Sequence, residues 1–224
     1  MRYLLLLCLI HTSALKAETV RFFYSESPPF EQTSADGSAA GLGIIVVSNI
    51  LTAAGLSPIF ELYSIQRGVA ALHREVHFTT VVSPTAEFKA DFAVSQRPVY
   101  SISLGVVRLK HTPKLTHLST LQPQSLVSLT ETSFSYLLEK SDFSGVDFSN
   151  HYKVSTLEDA LRLIQNKRYP YFLSYYLSEH ELQSPFLVFD ELLTLPVYLA
   201  MSKKQPDVTR LMHQVDQAML NLDE

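Results

Sequence analysis

The 224-residue chain has one cysteine, Cys8, and it lies close to the start. Beyond it there is no thiol to form a cross-link, so stability has to come from a packed core, and redox chemistry and thiolate–metal ligation have no donor. Charge of one sign is also scarce. Lys and Arg number 18 against 22 Asp and Glu, for a net charge of −4, which gives nucleic acid no electrostatic footprint and an anionic membrane surface no basic stripe. No apolar run approaches the roughly 20 residues that a bilayer-spanning helix needs. The sequence also lacks a G-x-S-x-G elbow, a Walker loop and an H-E-x-x-H pair, so hydrolase and nucleotide-dependent chemistry have no starting point. The expectation is a protein that is not an enzyme and needs no cofactor or metal. With 46% hydrophobic and 18% charged residues, the chain can bury the core of one large domain or of two small lobes.

What is present begins with MRYLLLLCLIHTSALKA. Arg2, an apolar run over residues 3–10 and small residues ending at Ala17 make a secretory signal peptide, with cleavage expected after Ala17. Lipidation of Cys8 is not expected, because Leu7 stands where a small residue should precede a lipidated cysteine and the segment before it is short.

Extended and helical patterns then alternate. Residues 20–24 (VRFFY) read as a strand that stops at a Pro-Pro turn, and residues 43–54 as a helix stopped by Gly55. Strands are expected at 57–63 and 77–83, with a short helix at 68–73 between them, and two extended pieces follow at 92–110, broken at Pro98. After a polar connector at 111–124 come a strand at 125–129, a helix FSYLLEK capped by Thr132 or Ser133, and a strand at 151–155. Residues 156–167 form the clearest amphipathic helix, with Thr156 as cap, Glu158 and Asp159 at its start and Lys167 and Arg168 at its end. Strands at 169–177 and 196–204 and a helix opening with Pro206 at its first position complete the pattern. Such alternation argues for α/β architecture with crossover helices.

Four stretches in this order resemble bacterial extracellular solute-binding proteins of family 3, the amino-acid-binding type: SPPFEQTSADGSAAGLGIIVVSNIL, FKADFAVSQRPVYS, TLEDALRLIQNKRY and PVYLAMSKKQPDVTRLMHQVDQAM. Together they span nearly all of the chain after the leader. The resemblance implies a type II periplasmic-binding-protein fold, with two α/β lobes and a ligand cleft between them. It implies a signal peptide at 1–17, a first lobe from 18–110 and 196–224, and a second from 111–195, joined by crossings near 108–114 and 193–196. It also implies a periplasmic, monomeric protein that binds a small molecule and presents it to an inner-membrane transporter or a sensory receptor.

Under the same resemblance the loop after the first strand forms one wall of the cleft, so Tyr24 and Phe30 are candidate ligand contacts, Phe30 being alternatively a core plug. A Pro-Pro-Phe elbow has little conformational freedom to lose on binding. The family's charge anchors are absent. Phe88 stands at the position of its arginine while Ser83 keeps a hydroxyl, Tyr175 (or Ser174) replaces its second-lobe acid, and Ile44 and Ile45 replace the acid after Gly43. Burying an unpaired carboxylate or ammonium costs several kcal/mol. Two readings follow. Either the cleft takes an aromatic or otherwise neutral solute, oriented by Tyr24, Ser83, Thr132, Ser133 and Tyr175, or the site has decayed and the fold serves protein recognition. Arg67, before a first-lobe helix, would restore carboxylate capture and so an amino-acid-like ligand, against the alternative of a surface arginine. A third reading, a dehydratase on the same fold, would use Glu26 as general acid if burial raised its pKa. His73 and His77 sit four apart, but a helix running into a strand would not hold them on one face for zinc.

Overall fold

The computed structural model describes residues 17–117, 125–130, 151–175, 182 and 184–222. The expected signal peptide and the expected helix carrying Thr132 and Ser133 lie outside them.

The chain opens with β1 (Glu18–Tyr24), then a small hairpin of β2 (Gln32–Thr33) and β3 (Ala39–Ala40), α1 (Leu42–Ala53) and β4 (Leu56–Leu62). β1 and β4 are parallel, as a crossover through α1 requires. Next come α2 (Ile65–Leu72), β5 (Thr79–Val82), α3 (Ala86–Asp91) and β6 (Phe92–Val94). A parallel bridge from Phe22 to Phe78 sets β1 beside the start of β5. β7 (Tyr100–Leu109), β8 (Leu126–Leu129), β9 (Tyr152–Val154), α4 (Leu157–Gln165) and β10 (Tyr171–Tyr175) follow, then β11 (Leu187–Ser202) and α5 (Val208–Leu222). The main sheet runs β5-β11-β7-β10-β8-β9, with β6 also on β11.

Most expected elements are present, with instructive differences. The Thr156 hydroxyl accepts from the Asp159 N–H, as the amphipathic pattern predicts for α4. Pro206 is not the first residue of the last helix, which begins at Val208 with the Asp207 carbonyl accepting from Leu211 N–H. β11 is sixteen residues long and starts at Leu187, well before the strand expected at 196–204. α3, which the sequence reading did not anticipate, forms because the Thr85 hydroxyl caps the Phe88 N–H.

The register of β7 on β11 explains how the two ends of the molecule connect. β10 pairs with β7 at Leu104–Val107, and β5 pairs with β11 at Val197–Ala200. Between those limits Ser101, Ile102 and Ser103 face Pro196, Leu195 and Thr194 as a two-stranded antiparallel ribbon. One face of β7 (Ile102, Leu104, Val106) belongs to a cluster with Leu195 and Val197, while Val107 and Leu109 face a second cluster under α4 with Leu161, Ile164 and Phe172. A third cluster packs Val20, Phe22 and Phe78 against α1 and α5, and a fourth packs Phe23 against α2.

β11 carries a bulge between Glu191 and Leu193, which increases local twist where the ribbon begins. The Glu191 carboxylate accepts from the hydroxyls of Ser103 and Thr194, which hold it below the usual carboxylate range. Opposite the bulge, a Cβ on Gly105 would lie 2.1 Å from the Asp190 carbonyl oxygen and 2.6 Å from the Phe189 ring. Gly105→Ala is therefore expected to cost about 2 kcal/mol by overpacking, measured as a lower urea midpoint at unchanged slope.

Candidate functional site

The loop between β1 and α1 is built by backbone hydrogen bonds. Ser27 N–H donates to Glu31 O at 2.7 Å, and Phe30 N–H and Glu31 N–H donate back to Ser27 O. The Pro28–Pro29 peptide is cis. Gly41, at φ +113°, has Phe30 O 2.4 Å from where a Cβ would be, so no other residue fits this approach. The consequence is chemical as well as steric. Leu42 N–H donates to Pro29 O, and Gly43 and Ile44 N–H donate to Phe30 O. The first donors of α1 are thus satisfied by the loop and do not point at an anion.

Beneath this loop sits a polar group that sequence reasoning missed. Glu31 is 6% exposed and accepts from the Thr80 hydroxyl and the Ser25 N–H. Burial pushes its carboxyl up to about 7, with those hydrogen bonds pulling the other way. The Tyr100 hydroxyl is also hydrogen-bonded to Thr80, and burial, with Glu31 nearby, raises the phenol well above its usual range. The Tyr100 ring stacks on Phe30 at 5.9 Å between centroids and 7° between planes. Its hydroxyl would lie 2.7 Å from a Cβ at Gly43, so the glycine makes room for it. The available signal was a glutamate directly after a rigid elbow, flanked by Phe30.

Several expected residues meet around the cluster at the ribbon. Phe30, Val82, Tyr100 and Tyr175 are partly buried hydrophobics packed on Ile102, Leu104, Leu195 and Val197. Tyr175 ends β10 opposite Leu104, next to Ser174 opposite Gly105. Ser83 lies just past β5, with its N–H on Pro196 O at 2.9 Å. It has φ +43°, a left-handed conformation uncommon for a residue with a side chain. Its hydroxyl oxygen is buried and has no hydrogen-bond partner among the described residues.

Other expected residues lie elsewhere. The Tyr24 hydroxyl bonds Thr33 Oγ1 at 3.0 Å, and Thr33 in turn donates from its hydroxyl to Glu26 at 2.6 Å and from its N–H at 3.1 Å. Glu26 is exposed, which corrects the idea of a buried acid there; the buried carboxylate is Glu31. Phe88 stacks on Phe92 at 4.4 Å in the cluster that includes Leu72. Arg67 is on the exposed side of α2. Ile44 is buried in the cluster under α1, whereas Ile45 is 57% exposed. His77 accepts the Arg21 N–H on Nδ1, and His73 bonds Ser202. Among the described residues no group of three or more His, Cys, Asp or Glu could hold a metal, and no helix is long and apolar enough to cross a membrane.

No protein-family model and no curated protein matches the sequence. Solved structures do. A histidine kinase sensor domain with similarity to periplasmic binding proteins superposes with a TM-score of 0.70 at 16% identity, covering 93% of this chain and 91% of its own. The arginine-, lysine-, histidine-binding protein ArtJ of Geobacillus stearothermophilus gives 0.66 at 18% identity, over 92% and 89% of the two chains. A substrate-binding protein of a Streptococcus pneumoniae ABC uptake transporter, with bound histidine, gives 0.66 at 16% identity over 92% and 87%. These are binding and sensor proteins by description. The resemblance read from the four sequence stretches is thus borne out at the level of architecture, and the chain has the two-lobed α/β fold of type II periplasmic binding proteins.

Proposed function

We propose that the protein binds a small, mostly uncharged organic molecule in the cleft bordered by Phe30, Ser83 and Tyr175, and that closure of the lobes is read by a membrane transporter or a sensory receptor in the periplasm. The observation that carries this reading is Ser83. A buried hydroxyl without a partner costs about 1–3 kcal/mol, and a non-glycine residue at positive φ adds about 1–3 kcal/mol. Two such costs at one residue beside the ribbon are explained if a ligand supplies the missing hydrogen bond. The neutral character of the ligand follows from the groups around it. Glu31 is driven toward its protonated form, the α1 donors are occupied, and Phe30 and Tyr175 offer aromatic surface suited to a ring or an apolar body.

The hinge in this reading is the ribbon of residues 101–103 and 194–196, where β7 and β11 pair with each other beyond the reach of β10 and β5, with only the Ser83 N–H joining them at Pro196 O. The first crossing then comes earlier than the 108–114 expected from sequence, because Leu104–Val107 already pair with β10. Bending there moves β10, β8, β9 and α4 as one body. The likeness to a kinase sensor domain favours a receptor as strongly as the transporter-associated neighbours favour uptake.

A thermal-shift screen of neutral, aromatic and amino-acid metabolites tests the proposal. At a hundredfold excess over Kd a ligand stabilises by about 2.7 kcal/mol. Ser83→Ala separates ligand capture from packing. It removes the unsatisfied hydroxyl, so the free protein is expected to gain about 1 kcal/mol, while the ligand-induced shift shrinks. No shift from any panel member, together with a scattering envelope that no additive changes, would defeat the reading. Arg67→Ala is expected to leave the shift unaltered, since its side chain is exposed; a lost shift would instead assign carboxylate capture to Arg67.

A further inference from the structure

A second concave site lies at the end of the sheet far from the ribbon, where three turns meet. A groove of about 360 Å³ is lined by Leu109, His111, Gln165, Lys167, Ser184 and Phe186. We propose that this groove docks an acidic segment of a partner protein that inserts one apolar side chain between Leu109 and Phe186. The reading does not depend on the cleft or on its ligand.

Charge is the first argument. Lys110, His111, Lys167 and Arg168 are all exposed on the turns that frame the groove. Among the described residues no carboxylate pairs with any of them. The whole chain carries a net charge of −4 with histidines neutral, so the cluster of Lys110, Lys167 and Arg168 among the described residues stands against the general balance and complements an acidic partner. Exposure is the second. Phe186 is 69% exposed, an unusual position for a phenylalanine that rims a groove with a buried leucine at its floor.

The third argument is rigidity. Arg108 Nη1 donates to the carbonyls of Leu109, Lys110 and Thr112, which fixes the turn bearing Lys110 and His111. Lys110 N–H donates to Phe186 O at 2.8 Å, and Phe186 N–H to Ser184 Oγ at 3.3 Å. The end of α4 closes with Lys167 N–H on Ile164 O and Arg168 N–H on Leu163 O, and Lys167 has φ +56°. Glycine is the favoured residue at that left-handed position. A lysine there gives up stability and keeps a cation on the groove. A preorganised, concave, cationic rim with an aromatic edge fits a protruding side chain flanked by acids. It does not fit a bilayer, which presents a flat surface and no side chain to insert.

The test uses the full chain and a short fluorescein-labelled peptide of Asp and Glu around a single Phe, followed by anisotropy. Saturable binding is expected, weakened by added salt. Lys110→Glu combined with Arg168→Glu is expected to reduce affinity by about tenfold or more, and Phe186→Ser to reduce it at unchanged melting temperature. Lys167→Gly is the sharpest variant: it should raise the melting temperature while weakening binding. The proposal is overturned if the peptide does not saturate, if a matched Asn/Gln peptide binds equally, if the charge reversals have no effect, or if phosphatidylglycerol vesicles bind where the peptide does not.

Discussion

Arg108→Ala is expected to lower the unfolding free energy by about 3–5 kcal/mol, the cost of stranding a buried charge, and the melting temperature by roughly 6–20 °C at 2–4 °C per kcal/mol for a chain of this size. Arg108 and Asp190 are 9% and 8% exposed. The guanidinium meets the carboxylate through both Nε and Nη2, the latter at 3.1 Å, while Nη1 satisfies three carbonyls of the following turn. The geometry is bidentate and the remaining donors are used, the condition under which a buried pair repays its desolvation. Alanine at 108 leaves Asp190 without its counter-charge and removes a donor from the carbonyls of Leu109, Lys110 and Thr112, of which Leu109 O keeps the Thr112 N–H. Asp190→Ala should cost a similar amount. The double replacement Arg108→Met with Asp190→Leu should be less damaging than either single change, because it removes both charges together. Urea denaturation of the four proteins reads this out directly. Additive losses would show that the pair is not coupled as its geometry requires.

That pair also explains what could be read in the sequence and what could not. The alternation of β-branched and amphipathic stretches made the α/β architecture legible, and Thr156 caps α4 as its pattern required. β11 was read only from residue 196 onward because FLVFDELLTL carries Asp190 and Glu191, which look like loop residues. Arg108, the partner of Asp190, and Ser103, which together with the nearby Thr194 bonds Glu191, lie more than eighty positions away. A strand whose acids find partners across the sheet has no local signature. The candidate site shows the same limit. Phe30, Ser83 and Tyr175 are expected ligand contacts under the family resemblance; Phe30 and Tyr175 pack on the cluster at the ribbon, and the Ser83 N–H bonds Pro196 O. Glu31 and Tyr100 were not legible, because burial of a glutamate is decided by Thr80 and by the glycine that admits the tyrosine hydroxyl. Phe88 stood out by its place in the sequence, yet its ring is spent on packing against Phe92.

Glu31→Gln is expected to change the pH dependence of stability strongly. Burial raises the Glu31 carboxyl from 4.5 to about 7. In that interval the folded protein holds a proton that the unfolded chain has already released. Stability from this group is therefore complete below about 4.5, falls as pH rises, and levels off above 7. A displacement of that size corresponds to roughly 3 kcal/mol lost by pH 8. Glutamine keeps the shape and the neutral charge at every pH, so the variant should match the native protein near pH 4.5 and exceed it in melting temperature by several degrees at pH 8. His77 slopes the other way, since burial depresses its imidazole below 6.5 and its contribution is lost as pH falls. The difference between variant and native protein at each pH cancels that term and isolates Glu31. Parallel melting curves from pH 4.5 to 8, or a variant less stable at pH 8, would mean that the carboxylate is already ionised in the folded state and that the floor beneath Phe30 and Tyr100 is charged. A neutral ligand would then be the wrong expectation for the cleft.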